Sequence, residues 1–477
     1  MEFQSTFSLT TAVLLLLTPV IFLLIIKSRR QKPHHHHHQL PPSPPRLPLI
    51  GHLHHLIGKL PHHALTALSK KYGPILHLRL GQVPAVIISS PAAAREVLKS
   101  QDPSCADHPD SIGTKITGYD CADLAFSPYG EHWRQMRRIC VLELLSARNV
   151  RSFGFLRRHE VDRLVDTVRL SAGGPVDLTA AVFSATSATT CRAAFGKVVK
   201  GRDTLIKMMR EALTMTGGLE LADLFPSSKL LSVLCWNRSR LLRMRRRLDR
   251  ILDVIVEEHR SKKRGEFGGE DIVDVLIRMQ ENRELQFPIT NHNIKAIIFL
   301  MRKPVVMEKT QPEIRAAVKG KTSEEEGDAE ALRYKLVIKE TLRLHPPIPL
   351  LPRACREECK TIPIKAKVMV NAWAMARDPK YWDRPEIFWP ERFEGSSADF
   401  AGSDLQYIPF GGGRRACPGM GFGLATVELT LAQLLYHFEW KMPEGMSVDM
   451  AEGEGIAVGR KNGLFVVPTH YDNSIAI

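Results

Sequence analysis

The stretch "PFGGGRRACPGMGFGLATVELTLAQLLYHF" (409–438) holds the densest chemistry in the chain. Cys417 sits in a glycine-rich loop just ahead of an apolar run with helical spacing. Gly411, Gly412 and Gly413 let the backbone approach a flat partner closely, and Gly419 lets the chain turn into the helix. Loop N–H groups and the positive end of that helix favour a thiolate over a thiol. A thiolate is what an axial haem-iron ligand supplies, and it pushes electron density toward O–O cleavage. Arg415, two residues earlier, carries a guanidinium suited to a carboxylate such as a haem propionate. The same residues also fit a structural cysteine in a tight turn. The loop alone leaves both readings open.

Three other stretches carry residues of interest. In "KETLRLHPP", Glu340 and Arg343 stand at i, i+3 and so share a helix face. "PERF" supplies Arg392 downstream of them. "HWRQMRRIC" supplies Trp133 and Arg137, which on spacing alone make an amphipathic helix with a solvated basic edge. Taken in order with Phe410-x-x-Gly413-x-Arg415-x-Cys417-x-Gly419, these stretches closely resemble the cytochrome P450 (haem-thiolate monooxygenase) family.

That resemblance implies a mainly α fold with a small β-rich lobe. It implies haem b, its iron held by Cys417 in a loop shaped by Phe410, Gly413 and Gly419, with propionates met by Arg415, Trp133 and Arg137. It implies a buried network of Glu340, Arg343 and Arg392. Electrons would come from NADPH through an NADPH-cytochrome reductase that docks near the basic face of residues 132–140. "LPPSPPRLPLIGHLHHL", "SPYGEHWRQMRRICVLELLS" and "DPKYW" are similar to plant microsomal members. "GGLELADLFPS" and "YKLVIKETLRLHPPIPLLPR" are similar to the terpenoid- and alkaloid-oxidising branch. The implied substrate is a small lipophilic secondary metabolite, a terpenoid.

The elements that must position these residues are legible in outline. Helix dominates from Glu131 to about Arg264, and "RSRLLRMRRRLDRILDVIVEEHRSKKR" is its strongest stretch, with the arginines on a solvated face. "PILHLRLGQVPAVIIS" reads as two paired strands, and further strands are expected near 361–372 and at the carboxyl end. "PAAAREVLKS" reads as a helix with Pro91 at its first position. The chain has 477 residues, 44% of them hydrophobic and 25% charged, as in a globular protein. Its net charge of +15 favours anionic membrane surfaces or an acidic partner. Nucleic acid is set aside, because no zinc-finger spacing, RNP-like motif or groove-reading helix is present. Eight scattered cysteines suit reduced, cytosol-facing thiols rather than a disulfide framework, and Cys355 and Cys359 lack two further metal ligands.

The amino terminus reads as a retained signal anchor. Leu9 to Ile26 is uncharged and apolar enough to span a bilayer with some tilt. Lys27, Arg29, Arg30 and Lys32 come directly after it while only Glu2 precedes it, which places the body on the cytosolic side. Residues 1–27 are thus expected to be a membrane anchor and 28–48 a basic, His- and Pro-rich linker; 49–477 would be the haem-thiolate monooxygenase domain. The expected location is the endoplasmic reticulum membrane, spanned once.

One stretch departs from the family. "TNHNIKAIIFLMRKPVVMEK" (290–309) starts a helix, with Asn291 a possible cap, and Pro304 stops it at or before Lys303. The resemblance implies a long helix over the distal haem face, carrying an A/G-G-x-D/E-T sequence whose acid and threonine relay protons. Here Phe299 runs through Leu300 and Met301 straight into a stretch similar to the next helix, so the distal helix is truncated near 299–303. No catalytic acid–threonine pair is identifiable. Two functions are compatible with this: a monooxygenase, or a catalytically impaired, membrane-anchored haem-binding pseudoenzyme.

Overall fold

A computed structural model of the chain describes residues 40–197, 204, 208, 211, 220–228, 236–261, 270–281, 285–300, 327–357, 362–364 and 366–470. The principal helices are α1 (Pro61–Tyr72), α2 (Pro91–Arg95), α3 (Glu131–Ile139), α4 (Gly154–Leu170), α5 (Leu178–Phe195), α6 (Trp236–Ser261), α7 (Ile272–Glu281), α8 (Asn291–Leu300), α9 (Gly327–Leu344) and α10 (Met420–His437). The strands are β1 (Ile75–Leu80), β2 (Val83–Ile88), β3 (Val176–Asp177), β4 (Leu350–Ala354), β5 (Lys367–Asn371), β6 (Phe438–Lys441) and β7 (Phe465–His470). They form a four-stranded sheet in the order β1-β2-β5-β4 and a three-stranded sheet in the order β3-β7-β6.

The first sheet arises from its side chains. Along β1, Leu76, Leu78 and Leu80 are buried while Arg79 is exposed, the alternation of a strand with one covered face. Ala85 to Ile88 of β2 are all buried. That fits a central strand, antiparallel to β1 on one side and parallel to β5 on the other. Strand β4, which sequence pattern does not reveal, completes the edge by pairing antiparallel with β5. The Pro-rich entry segment is tied to this lobe: the Pro42 carbonyl accepts from His77 N at 2.9 Å, and His52 Nε2 lies 2.9 Å from the Pro44 carbonyl.

The main core lies among helices. Trp133, Met136 and Ile139 of α3 pack in one cluster with Leu241, Leu248, Leu252 and Ile255 of α6, and with Ile294 and Ile297 of α8. Helix α6 buries that apolar stripe and exposes Arg243, Arg246, Arg247 and Arg250, so most of its arginines face solvent. Arg245 is the exception, stacking over the Tyr119 ring at 4.5 Å.

Helix α8 is described over Asn291–Leu300, and residues 301–326, with the expected stop at Pro304 among them, lie outside the described ones. Its cap is Thr290 rather than Asn291. Thr290 Oγ1 accepts from Asn293 N at 3.2 Å and Asn293 Oδ1 accepts from Thr290 N at 2.9 Å, a reciprocal box. Asn291 instead accepts from Arg260 at 2.7 Å. Among the described residues no helix is long and apolar enough to cross a membrane, and the expected anchor at 1–27 lies outside them.

Candidate functional site

The loop ahead of α10 is held in shape by its own backbone and by Asp102. Gly411 and Gly413 adopt left-handed backbone, at φ 78° and 66°. A side-chain carbon on Gly413 would run into the Leu98 carbonyl and stand 3.0 Å from the Asp102 carboxylate. Gly413→Ala is therefore expected to cost about 1–3 kcal/mol through strain and collision. Thermal unfolding checks it, with Gly395→Ala as a left-handed glycine that has nothing within 4 Å. The Arg414 N–H donates to Asp102 Oδ2 at 2.8 Å, and the Cys417 N–H closes the loop onto the Phe410 carbonyl at 2.9 Å. Phe410 itself meets Phe400 edge-on at 6.0 Å. Gly419 forms the cap of α10, and the Cys417 side chain is exposed.

Around this loop the structure gathers arginines. Among the described residues Arg415 donates only to main-chain carbonyls: Nε to Ala106 at 2.6 Å, Nη1 to Leu124 and Ala125 at 3.2 and 3.3 Å, Nη2 to Ser127 at 2.5 Å. Its guanidinium lies 4.5 Å over the Trp133 ring, and Arg137 lies 5.9 Å from that same ring. The Trp133 indole is fixed by donating to the Leu124 carbonyl at 2.9 Å. Burial lowers the pKa of Arg137, opposed by the nearby Cys417 sulfur. Arg415 is pushed down to about 10 by burial, and then by Arg353. Trp133, Arg137, Arg415 and the Cys417 loop thus share one locality.

Arg353 and its neighbours are members of the site that the sequence does not disclose. Arg353 lies on β4, is 3% exposed and donates to the Gly412 carbonyl at 3.1 Å and to the Pro352 carbonyl at 2.8 Å. Its Nη1 is 3.3 Å from His108 Nε2, while its Nε has no hydrogen-bond partner among the described residues. Burial pushes its pKa down to about 10. The one signal in the sequence is an arginine interrupting the apolar run "IPLLPRAC". Neither Arg353 nor Arg415 donates to a carboxylate among the described residues. A buried and a half-buried cation left with carbonyls and an orphaned N–H are what a ligand with two carboxylates would neutralise. The donor set fits a haem: two propionates for the guanidiniums, and an exposed thiol for the iron.

Behind the loop stands the Glu340 network. Arg343 grips Glu340 with two bonds, Nε to Oε2 at 2.7 Å and Nη2 to Oε1 at 2.8 Å, and both side chains are fully buried. Arg392 Nε and the Trp389 N–H donate to Glu340 Oε1 at 3.1 and 2.8 Å. The spare guanidinium donors reach main-chain carbonyls: Arg343 to Ala376 and Pro385, Arg392 to Asp383 and Ile387. Tyr407 links this network toward the loop, donating to the Lys339 carbonyl at 3.0 Å and meeting Trp382 and Phe393. Elsewhere, Cys355 meets Cys105, their sulfurs 2.7 Å apart; Cys359 lies outside the described residues.

A family model for cytochrome P450 matches residues 41–299 and 295–467 of the chain. The chain belongs to the cytochrome P450 family. The family's members are haem-thiolate monooxygenases, and the match here falls into two pieces that meet at residues 295–299, within α8. Cytochrome P450 71D13 of Mentha piperita is 57% identical over 465 residues, covering 91% of this chain and 93% of that one. That aligned length exceeds the covered share of this chain, so the mint P450 carries aligned residues that have no counterpart here. Premnaspirodiene oxygenase of Hyoscyamus muticus is 50% identical over 469 residues, covering 91% of this chain and 93% of that one. A zebra fish cytochrome P450 solved with abiraterone superposes with a TM-score of 0.69 at 22% identity, covering 87% of this chain and 99% of that one; it shares the P450 fold.

Proposed function

We propose that this P450 hydroxylates a lipophilic plant terpenoid, using haem b held by Cys417 and electrons that an NADPH-dependent reductase delivers. The observation that carries the reading is the exposed Cys417 beside the guanidiniums of buried Arg353 and half-buried Arg415, which donate to no carboxylate among the described residues. Haem bound there would supply one-electron and dioxygen chemistry. Cys417 would ligate the iron, Arg353, Arg415 and Arg137 would take the propionates, and the Trp133 ring would keep two of those cations in place. Gly411 and Gly413 keep the backbone low enough for a flat group to approach. The terpenoid class rests on premnaspirodiene oxygenase, whose name states its substrate.

The reductase reading is supported by exposed cations beside the loop. Tyr129 gathers two of them: its hydroxyl accepts from Arg414 at 2.8 Å, and Arg134 lies 5.0 Å over its ring. Such a patch attracts an acidic partner and speeds its encounter. The run of cations after Leu9–Ile26 supports a single-pass anchor in the endoplasmic reticulum membrane with the body in the cytosol.

A second reading, impaired turnover, is favoured by the break in the family match at residues 295–299. Proton delivery to bound dioxygen needs an acid or hydroxyl within hydrogen-bond reach. No such pair continues α8 in the sequence. The test is turnover of the full-length chain with a plant NADPH-cytochrome reductase in lipid vesicles, offered terpene hydrocarbons and read by mass spectrometry. Hydroxylated terpene supports the first reading, and haem-loaded protein that consumes NADPH without product supports the second. Oxidation of non-terpenoid compounds alone would overturn the substrate class.

A further inference from the structure

His62 and His63 occupy the first turn of α1. Both imidazole Nε2 atoms reach one carboxylate oxygen of Glu452, 390 and 389 residues further along the chain, at 2.8 and 3.0 Å. All three atoms lie within 4.8 Å of one another. Either bond alone is an ordinary histidine–carboxylate contact; together they place three zinc-donor atoms around one point. The rings are held there. His62 is 2% exposed, and its carbonyl accepts from Thr66 Oγ1 at 2.7 Å and from Asn371 Nδ2 at 3.4 Å. Trp373 walls both rings, 5.6 Å from His62 and 4.5 Å from His63. The Glu452 backbone pairs with Arg460.

We propose that His62, His63 and Glu452 form a zinc site that ties the start of α1 to the carboxyl-terminal segment. Zinc takes nitrogen and oxygen donors tetrahedrally at about 2.0–2.2 Å, which sets neighbouring donors about 3.3 Å apart. The two N···O contacts open by only a few tenths of an ångström to reach that spacing. The fourth position falls to water, entering past His63, whose side chain is 42% exposed. Ligation through Nε2 requires neutral imidazoles with their proton on Nδ1, so protons compete with the metal and binding weakens as pH falls. The site shares no residue with the Cys417 loop.

His34–His38 would also bind metal, so the test uses the full-length, haem-loaded chain with those five residues changed to glutamine. Isothermal titration with Zn2+ is expected to give one equivalent, and Zn2+ is expected to raise the thermal midpoint. His63→Gln should weaken that binding at least about tenfold and abolish the midpoint rise. It alters a half-exposed residue, so the variant without metal should melt like its parent; Glu452→Gln gives the second readout. Failure of the parent to take up an equivalent, or unchanged uptake by both variants, would overturn the site.

Discussion

Glu340→Gln is expected to cost about 3–5 kcal/mol of stability and to strip the chain of haem. The glutamine keeps the shape and one acceptor oxygen but removes the charge that two guanidiniums share. Arg343 is fully buried, and Arg392 is close to it, with 6% of its side chain exposed. Without Glu340 they would be uncompensated cations in a low dielectric. The loss is a large part of the roughly 5–15 kcal/mol that holds a domain folded. Replacing all three residues by apolar ones should not rescue it. Such a rescue works where the ionic side chains satisfy chiefly one another. Here the same guanidiniums also satisfy the carbonyls of Ala376, Pro385, Asp383 and Ile387, which would be orphaned. Urea unfolding of the haem-free chain, parent against variant, measures the stability loss, and the haem content of the purified variant measures the haem loss. A change under about 1 kcal/mol would show that the network does not bear on stability.

The second large effect concerns oxygen. Inserting after Leu300 a helical segment that carries an acid–threonine pair is expected to raise coupled hydroxylation by about 10²–10⁴-fold, the range for positioned acid–base groups. Helix α8 is well prepared to continue. Ile294, Ala296 and Ile297 are buried, and Lys295 is anchored to Asp253 at 2.6 Å and Asp249 at 3.3 Å. Beyond Leu300 the chain reads Met-Arg-Lys-Pro, which supplies neither the acid nor the hydroxyl. Product formation per NADPH consumed is the measurement. Equal coupling with and without the insert would show that this chain activates dioxygen by other groups.

The parts of the site that announce themselves in the sequence are those with local geometry. Glu340 and Arg343 meet because i, i+3 on a helix puts them on one face, and Cys417 closes onto Phe410 within a single loop. The strand pair β1–β2 is equally local, set by alternation and a short turn at Gly81 and Gln82. Arg353 is hidden because nothing in "LLPRA" says that its strand is the buried edge of a sheet whose other members lie at 75–88 and 367–371. His62, His63 and Glu452 are hidden for the same reason, nearly the whole chain separating them. The cap of α8 falls one residue before the expected Asn291 because Thr290 and Asn291 both carry capping side chains. Asn293 decides between them, answering Thr290 and also donating to the Ala122 carbonyl at 2.9 Å.

The central claim is that Cys417 holds haem iron as a thiolate, and it rests on the Asp102-braced loop, the arginine cluster and the Glu340 network. The reduced, carbon-monoxide difference spectrum of the full-length chain reads that bond directly. The account predicts a Soret band at the red-shifted position of thiolate-ligated haem, lost in Cys417→Ser. A haem-loaded chain without that band, or a Cys417→Ser variant that keeps it, would contradict the assignment.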